Sequence, residues 1–166
     1  MEKQPANCAR CPFKIADRLC REAQGKSPDF CPTANLQELV GQSLDEYRTH
    51  DDLHEFARQA SIQESSGYGN RDQGYENVRP IKPRIEEIIE FAERMNYKKL
   101  GMAFCIGLRK EAQAIEKLIG ARGFEMVTVV CKVGRSSKQT IGLDRSEQID
   151  PAKDEAMCNP VLQAMV

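Results

Sequence analysis

Apolar residues recur every three or four positions in three stretches of the chain, which predicts three amphipathic helices. The first stretch follows Thr33, the second follows Asp51 or Asp52, and the third follows Pro83. A polar, glycine-rich segment, residues 65–80, separates the second helix from the third and predicts a loop. The apolar positions of the three helices are Leu36, Leu39, Val40, Leu44 and Tyr47, then Leu53, Phe56, Ala57 and Ala60, then Ile85, Ile88, Ile89, Ala92 and Met95.

Two continuous apolar runs, residues 100–108 and 124–134, have the length and the β-branched content of strands. A charged helical segment, residues 109–123, joins them. This order of strand, helix and strand is typical of a βαβ unit with a parallel pair of strands. Because the runs show no polar alternation, we expect both faces of the strands to be buried, as in an α/β sheet.

Together these elements predict an α/β protein in three parts. Residues 1–33 are a cysteine-rich loop segment, residues 34–80 are a helical segment and loop, and residues 81–166 are a Rossmann-like βαβ unit. Two parallel strands do not form a stable sheet alone, so the sheet is expected to be incomplete. Either a second chain supplies further strands, as in a homo-oligomer, or the sequence is a C-terminal truncation of a longer protein. The apolar last segment, residues 158–166, favours a truncation.

Composition narrows the class of partner. The chain has 166 residues, of which 40% are hydrophobic and 30% charged, as in ordinary globular proteins. A net charge of −1 favours neither a nucleic acid nor an anionic membrane. No apolar run is long enough to span a bilayer, and no secretory leader precedes the first cysteine. We therefore expect a cytoplasmic protein.

The cysteines carry the strongest chemical signal. Four of the seven, Cys8, Cys11, Cys20 and Cys31, fall within 24 residues in the pattern C-x2-C-x8-C-x10-C. A tetrahedral zinc site needs four such thiolates around one ion, and a [4Fe–4S] cluster needs four as well. Proline directly follows Cys11 and Cys31, a pairing found in cluster-binding segments. The pattern predicts a metal or cluster site and leaves zinc and [4Fe–4S] open.

Two alternatives accompany this interpretation. The four cysteines could be unrelated thiols or could form disulfides, although disulfides are rare in the cytosol. Metal binding is favoured because it would order a segment that has too little apolar surface to fold alone. Basic side chains that would offset thiolate charge flank the pattern, namely Lys3, Arg10, Lys14, Arg18, Arg21 and Lys26.

The remaining cysteines suggest a second site. Cys105 and Cys131 lie near the ends of the two predicted strands, at the sheet edge where α/β proteins bind ligands. Cys158 precedes Asn159 and Pro160, which signal the start of a helix. Convergence of Cys105, Cys131 and Cys158 would form a second thiolate site for a cofactor. The alternative is that Cys105 and Cys131 are ordinary buried strand residues.

Three functions are compatible with this pattern. A cluster at the four N-terminal cysteines would make the chain a redox or electron-transfer protein with a redox partner or an unidentified small molecule. Zinc would make it a binding or regulatory module without catalysis. A thiol-dependent enzyme using Cys105 as nucleophile is a third alternative, although the sequence shows no partner base. Whether the protein is an enzyme is left open.

The segments CARCPFKIADRLC, YKKLGMAFCIGLRKEA, GFEMVTVVCKVG and MCNPVLQA carry a family likeness. The chain resembles a prokaryotic family of uncharacterised, cysteine-rich proteins described as metal-binding, the domain of unknown function 1847. The resemblance implies cysteines in the family at the positions of all seven cysteines here, and so supports both thiolate sites. Two departures stand out: the spacer between Cys11 and Cys20 is longer than in the family, and family members continue beyond the segment around Cys158. The resemblance implies no particular activity.

Overall fold

The computed structural model describes residues 5–166 and shows two compact units. The first unit ends at Arg58, and the second runs from Gln59 to Val166. No helix within the described residues is long and apolar enough to cross a membrane. The predicted α/β class is confirmed.

The first unit begins with a cysteine-bearing segment built from turns. Two short 3-10 turns, Cys8–Arg10 and Ile15–Asp17, precede helix α1, Pro32–Asn35, and helix α2, Gln37–Thr49. Pro32 suits the first turn of α1, because a residue there has no intrahelical partner for its N–H. Helix α3, Asp51–Ser66, begins two residues after α2 and continues into the second unit.

The second unit contains two pairs of strands and three further helices. Strand β1, Tyr68–Gly69, pairs antiparallel with β2, Arg79–Pro80, and so closes the segment predicted as a loop. Helix α4 then spans Arg84–Arg94, and a strand–helix–strand unit follows it. Its elements are β3, Lys99–Phe104, α5, Arg109–Gly120, and β4, Glu125–Val130; the last helix is α6, Pro160–Met165.

Strands β3 and β4 run parallel, with Leu100 opposite Met126 and Phe104 opposite Val130. This confirms the predicted βαβ unit. The core lies on one face of the pair, where α4 and α5 pack. Its buried residues are Ile89, Ala92, Ile119 and Phe124, against which Ile85, Leu100 and Met126 pack.

The other face of the sheet is only partly covered. A groove there is lined by Gly101, Ala103 and Val129 from the strands and by Gln163 and Ala164 from α6. The Gln163 side-chain amide donates to the carbonyl oxygen of Val129 at 2.9 Å. Residues of β3 alternate between exposed and half-buried, so the expected burial of both faces is wrong for this strand. The sequence of β3 looks continuously apolar because its exposed positions include two small residues, Gly101 and Ala103.

A polar network joins α3 to α4. The buried Gln63 donates to Glu90 Oε2 at 2.6 Å and accepts from Arg94 Nε at 2.8 Å. Lys82 Nζ also donates to Glu90 Oε2, at 2.8 Å. The hydrogen bonds from Lys82 and Gln63 hold the pKa of Glu90 below its ordinary value. Each polar group that approaches the core here has a partner, as burial requires.

The long segment between β4 and α6 is organised around Glu155. Its carboxylate accepts from Lys138 Nζ and from the backbone N–H of Asp150, and these bonds lower its pKa. Ser137 and Ala156 form an isolated bridge across the same segment. These contacts join the two ends of the segment, near residues 137 and 156, and so bring residue 158 back to the end of β4.

Candidate thiol sites

All four N-terminal cysteines line one small cavity of about 50 Å³. The cavity belongs to the first unit and is also lined by Arg18 and Phe30. Every cysteine in the described residues is a free thiol, so the disulfide alternative has no support there. The four cysteines of the sequence pattern thus line the same cavity.

The C-x2-C motif forms a tight turn. Cys8 begins the 3-10 turn Cys8–Arg10, and the Cys11 amide donates back to the Cys8 carbonyl at 3.2 Å. Cys31 is placed by a second turn, since its amide donates to the Pro28 carbonyl at 2.9 Å. Because Cys31 is also the residue that precedes α1, that helix fixes its backbone from the other side.

Cys20 is carried by a closed loop between residues 17 and 26. The Lys26 amide donates to Asp17 at 2.7 Å, and the Leu19 amide donates to Lys26 at 2.9 Å. Gly25 lies against the backbone of Arg18 and Leu19, and a methyl group at residue 25 would overlap their carbonyl and amide atoms. The loop that carries Cys20 therefore requires glycine at this position.

Arg18 is the basic side chain at the cavity. Its Nε donates to the Phe13 carbonyl at 2.9 Å, which fixes the guanidinium beside the thiols. A positive charge in this place would offset the negative charge of a four-sulfur centre.

Four cysteine thiols are suitable ligands for a zinc ion or an iron–sulfur cluster. The sulfur atoms, however, are not close enough together to bind one centre. Within residues 5–166, no three Cys, His, Asp or Glu side chains are arranged so that they could hold a metal ion as they stand. Metal–sulfur bonds are about 2.3 Å long, so four-sulfur coordination requires the thiols to turn further into their common cavity. Cys8 and Cys20 are exposed and Cys11 and Cys31 half-buried, which leaves room for such rotations.

The backbone segments that carry the second group of cysteines lie side by side at the carboxyl end of the parallel strands. The Cys131 amide donates to the Phe104 carbonyl at 2.7 Å, next to Cys105. The Cys131 carbonyl accepts from the Asn159 amide at 2.8 Å, next to Cys158. The backbone segments that carry Cys105 and Cys158 are therefore both hydrogen-bonded to Cys131.

The three thiols differ in environment. Cys131 is buried, and its sulfur accepts a hydrogen bond from the Ile106 amide at 3.4 Å. Cys105 and Cys158 are exposed. This arrangement could bind a soft metal or exchange disulfides only if the two exposed thiols turned toward Cys131, because the described residues contain no preformed metal-ligand group.

Comparison with known proteins places the chain in a family. The sequence profile of a protein family of unknown function, DUF1847, matches residues 31–166. The chain belongs to this family. The DUF1847 match begins at Cys31, so it includes the three later cysteines, whereas Cys8, Cys11 and Cys20 precede it.

This DUF1847 chain also resembles an archaeal protein, the uncharacterized protein MJ0455 of Methanocaldococcus jannaschii. The two are 45% identical over 85 residues, which is 51% of this chain and 42% of the relative. The match thus spans less than half the length of that relative. No solved structure matches the chain.

Sequence reasoning missed two residues that shape the first cavity. Phe30 contributes an apolar wall, and Gly25 permits the close approach in the loop of Cys20. The only signal for either was position: Phe30 directly precedes a cysteine, and Gly25 stands in a short polar spacer.

Proposed function

We propose that this DUF1847 protein is a metal-binding protein whose principal site is formed by Cys8, Cys11, Cys20 and Cys31. The observation that supports this proposal is that all four side chains line one cavity although 23 positions separate the first from the last. Four soft sulfur donors in one place select zinc or an iron–sulfur centre over hard ions such as magnesium or calcium.

The function depends on whether the site binds zinc or an iron–sulfur cluster. With a [4Fe–4S] cluster, the chain would carry electrons to or from a redox partner. With zinc, the four thiolates would complete the coordination and the site would be structural, so the protein would act as a binding or regulatory module. In either case the metal would order the N-terminal segment, whose described residues, 5–33, are all exposed or half-buried.

The proposal also includes a second thiolate site, formed by Cys105, Cys131 and Cys158. Its support is the pair of backbone hydrogen bonds that tie both neighbouring segments to Cys131. We propose a cytoplasmic location as well, because seven free thiols suit a reducing compartment.

Elemental analysis of the full chain, purified without oxygen, tests the principal site. Zinc at one ion per chain in a colourless protein would establish the structural site. Iron and sulfide with a broad absorption band near about 400 nm would establish the cluster. Protein with neither metal, after supply of zinc or of iron and sulfide, would overturn the proposal.

Two serine variants assign the ligands. We expect Cys31→Ser to lose most of the bound metal, because Cys31 lines the four-cysteine cavity. Thr128→Ser is the control, since Thr128 is exposed on β4 in the other unit and belongs to neither thiol group. Equal metal content in both variants and the unaltered protein would refute the assignment to the N-terminal cysteines.

A further inference from the structure

A larger cavity, of about 450 Å³, lies in the second unit between the end of α3 and the segment that joins β1 to β2. Its volume falls within the range of about 300–1,000 Å³ that is typical of small-molecule sites. No cysteine lines it, so it is separate from both thiol groups. Among its lining residues are Glu64, Ser65, Tyr68, Arg71, Tyr75 and Val78.

The segment that forms one wall has a defined shape. Arg71 and Tyr75 each begin a short 3-10 turn, and each turn follows a residue with positive φ, Asn70 at 59° and Gly74 at 90°. The Asn77 side-chain amide donates to the Gln73 carbonyl at 2.8 Å and closes the loop. The wall is therefore built by specific turns rather than by an extended linker.

Arg71 supplies the positive charge of the cavity. Its Nη1 donates to Ser65 Oγ at 3.1 Å, which links the guanidinium to the last turn of α3. Among residues 5–166, no carboxylate forms an ion pair with Arg71. The guanidinium has five N–H donors in a planar fork, so donors are left for an oxyanion such as a carboxylate or a phosphate.

The remaining walls are aromatic and apolar. Tyr68 and Val78 are half-buried, whereas the side chain of Tyr75 is 67% exposed at the cavity. Exposed tyrosine faces stack on flat rings and add a favourable interaction beyond simple burial. Glu64, also at the cavity, can accept a hydrogen bond from a hydroxyl or an amine.

We infer that this cavity binds a small planar aromatic molecule that carries an oxyanion for Arg71 and a hydrogen-bond donor for Glu64, with its ring against Tyr68 and Tyr75. The oxyanion could belong to an aromatic carboxylic acid or to a nucleotide. Both ligands share the ring and the negative charge, and the two differ in size and in phosphate chemistry.

Isothermal titration calorimetry of the full chain with five probes tests this inference. We expect either 4-hydroxybenzoate or adenosine monophosphate to bind with a dissociation constant of about a millimolar or tighter. If 4-hydroxybenzoate is the anion that binds, two analogues should each bind about tenfold more weakly. These are 4-hydroxybenzamide, which lacks the charge, and 4-hydroxycyclohexanecarboxylate, which lacks the flat ring. If it is the nucleotide, adenosine serves as the uncharged counterpart. Binding of neither anion, or equal binding of charged and uncharged counterparts, would overturn the inference.

Variants locate the site. Arg71→Gln should weaken binding of the anion about tenfold, because a charge-assisted hydrogen bond is lost. Tyr75→Leu should weaken binding severalfold and should fold normally, given the exposure of that side chain. Arg145→Gln, an exposed arginine outside this cavity, is the matched control. Unchanged affinity in both Arg71→Gln and Tyr75→Leu would show that any binding occurs elsewhere.

Discussion

The backbone amide of Asn159 donates a hydrogen bond to the carbonyl oxygen of Cys131 at 2.8 Å. This bond joins the end of β4 to the start of α6 across the long segment between them. Asn159 also caps α6, since its Oδ1 accepts from the Leu162 amide at 3.0 Å. One residue therefore both begins the last helix and holds Cys158 beside the strand ends.

Replacing Asn159 by alanine should loosen α6. The backbone bond to Cys131 can persist, but loss of the cap costs the helix about 1 kcal/mol. Hydrogen exchange of the Gln163 and Ala164 amides should become faster, while exchange in α4 should not change. Unaltered exchange in α6 would show that the cap contributes nothing.

Replacing Gly25 by alanine should lower metal content without removing a ligand. The added methyl group would overlap the backbone of Arg18 and Leu19 and displace the loop that carries Cys20. Overlap of this kind costs about 1–3 kcal/mol. Metal per chain after oxygen-free purification is the measurement.

Gly41→Ala is the control for that experiment. Gly41 lies within α2, and in the described part of the chain an added methyl group there would face open space beyond the backbone of its own helix. We expect this variant to be more stable by about 0.5–1 kcal/mol, because alanine favours helix, and to keep its metal. If Gly25→Ala retains as much metal as Gly41→Ala, the loop does not position Cys20.

Ile89 should dominate the stability of the second unit. Its side chain is 0% exposed within the core of α4, α5 and the strands. Ile89→Ala should lower the free energy of unfolding by about 2–5 kcal/mol, because it leaves a cavity. Ile88→Ala, at the adjacent 44% exposed position, should cost about 1 kcal/mol or less. Denaturant titration of both variants checks this difference, and similar losses would contradict the packing described.

Glu90 should make stability depend on acid pH. Its folded-state pKa is lowered from 4.5, first by the hydrogen bond from Lys82 and then by that from Gln63. A lowered folded-state pKa stabilises the fold above the unfolded-state pKa, and this contribution disappears as pH falls through the folded-state value. Glu90→Gln should therefore melt at a lower temperature than the unaltered chain at neutral pH, and the difference should shrink below about pH 4.5. Glu93→Gln, at an exposed position of the same helix, is the control for the loss of one carboxylate.

Alkylation should separate Cys131 from the other thiols of the second group. Cys131 is 7% exposed, whereas Cys105 and Cys158 are exposed. Iodoacetamide at neutral pH should modify Cys105 and Cys158 well before Cys131, as read by peptide mass spectrometry. A much faster reaction at Cys105 than at Cys158 would favour the thiol-enzyme alternative. Equal rates at all three positions would contradict the burial of Cys131.

Much of the second unit could be predicted because its signals are periodic. Helical spacing located α4, and two apolar runs located β3 and β4. The pairing of β1 with β2 could not be predicted, since each strand has two residues and too few side chains to form a pattern. The open face of β3 was also missed, because glycine and alanine resemble buried residues in sequence although they are exposed here.

Spacing between cysteines predicts two groups of thiols, of which the N-terminal four line one cavity, but it could not predict how closely the sulfurs approach. That distance depends on side-chain rotation and on contacts such as that of Gly25 with Arg18, which no local pattern encodes. The cavity at Arg71 and Tyr75 was missed for a similar reason: turns with positive φ bring its residues together, and a polar segment of this kind is expected only to be a loop.

Six of the seven cysteines are at least partly accessible to solvent. In air, accessible thiols on neighbouring molecules oxidise to covalent links between chains. Such material would run as dimers and larger species on a non-reducing gel, and each link would consume two potential metal ligands. Links through the four N-terminal cysteines would therefore lower the metal occupancy that a given preparation can reach.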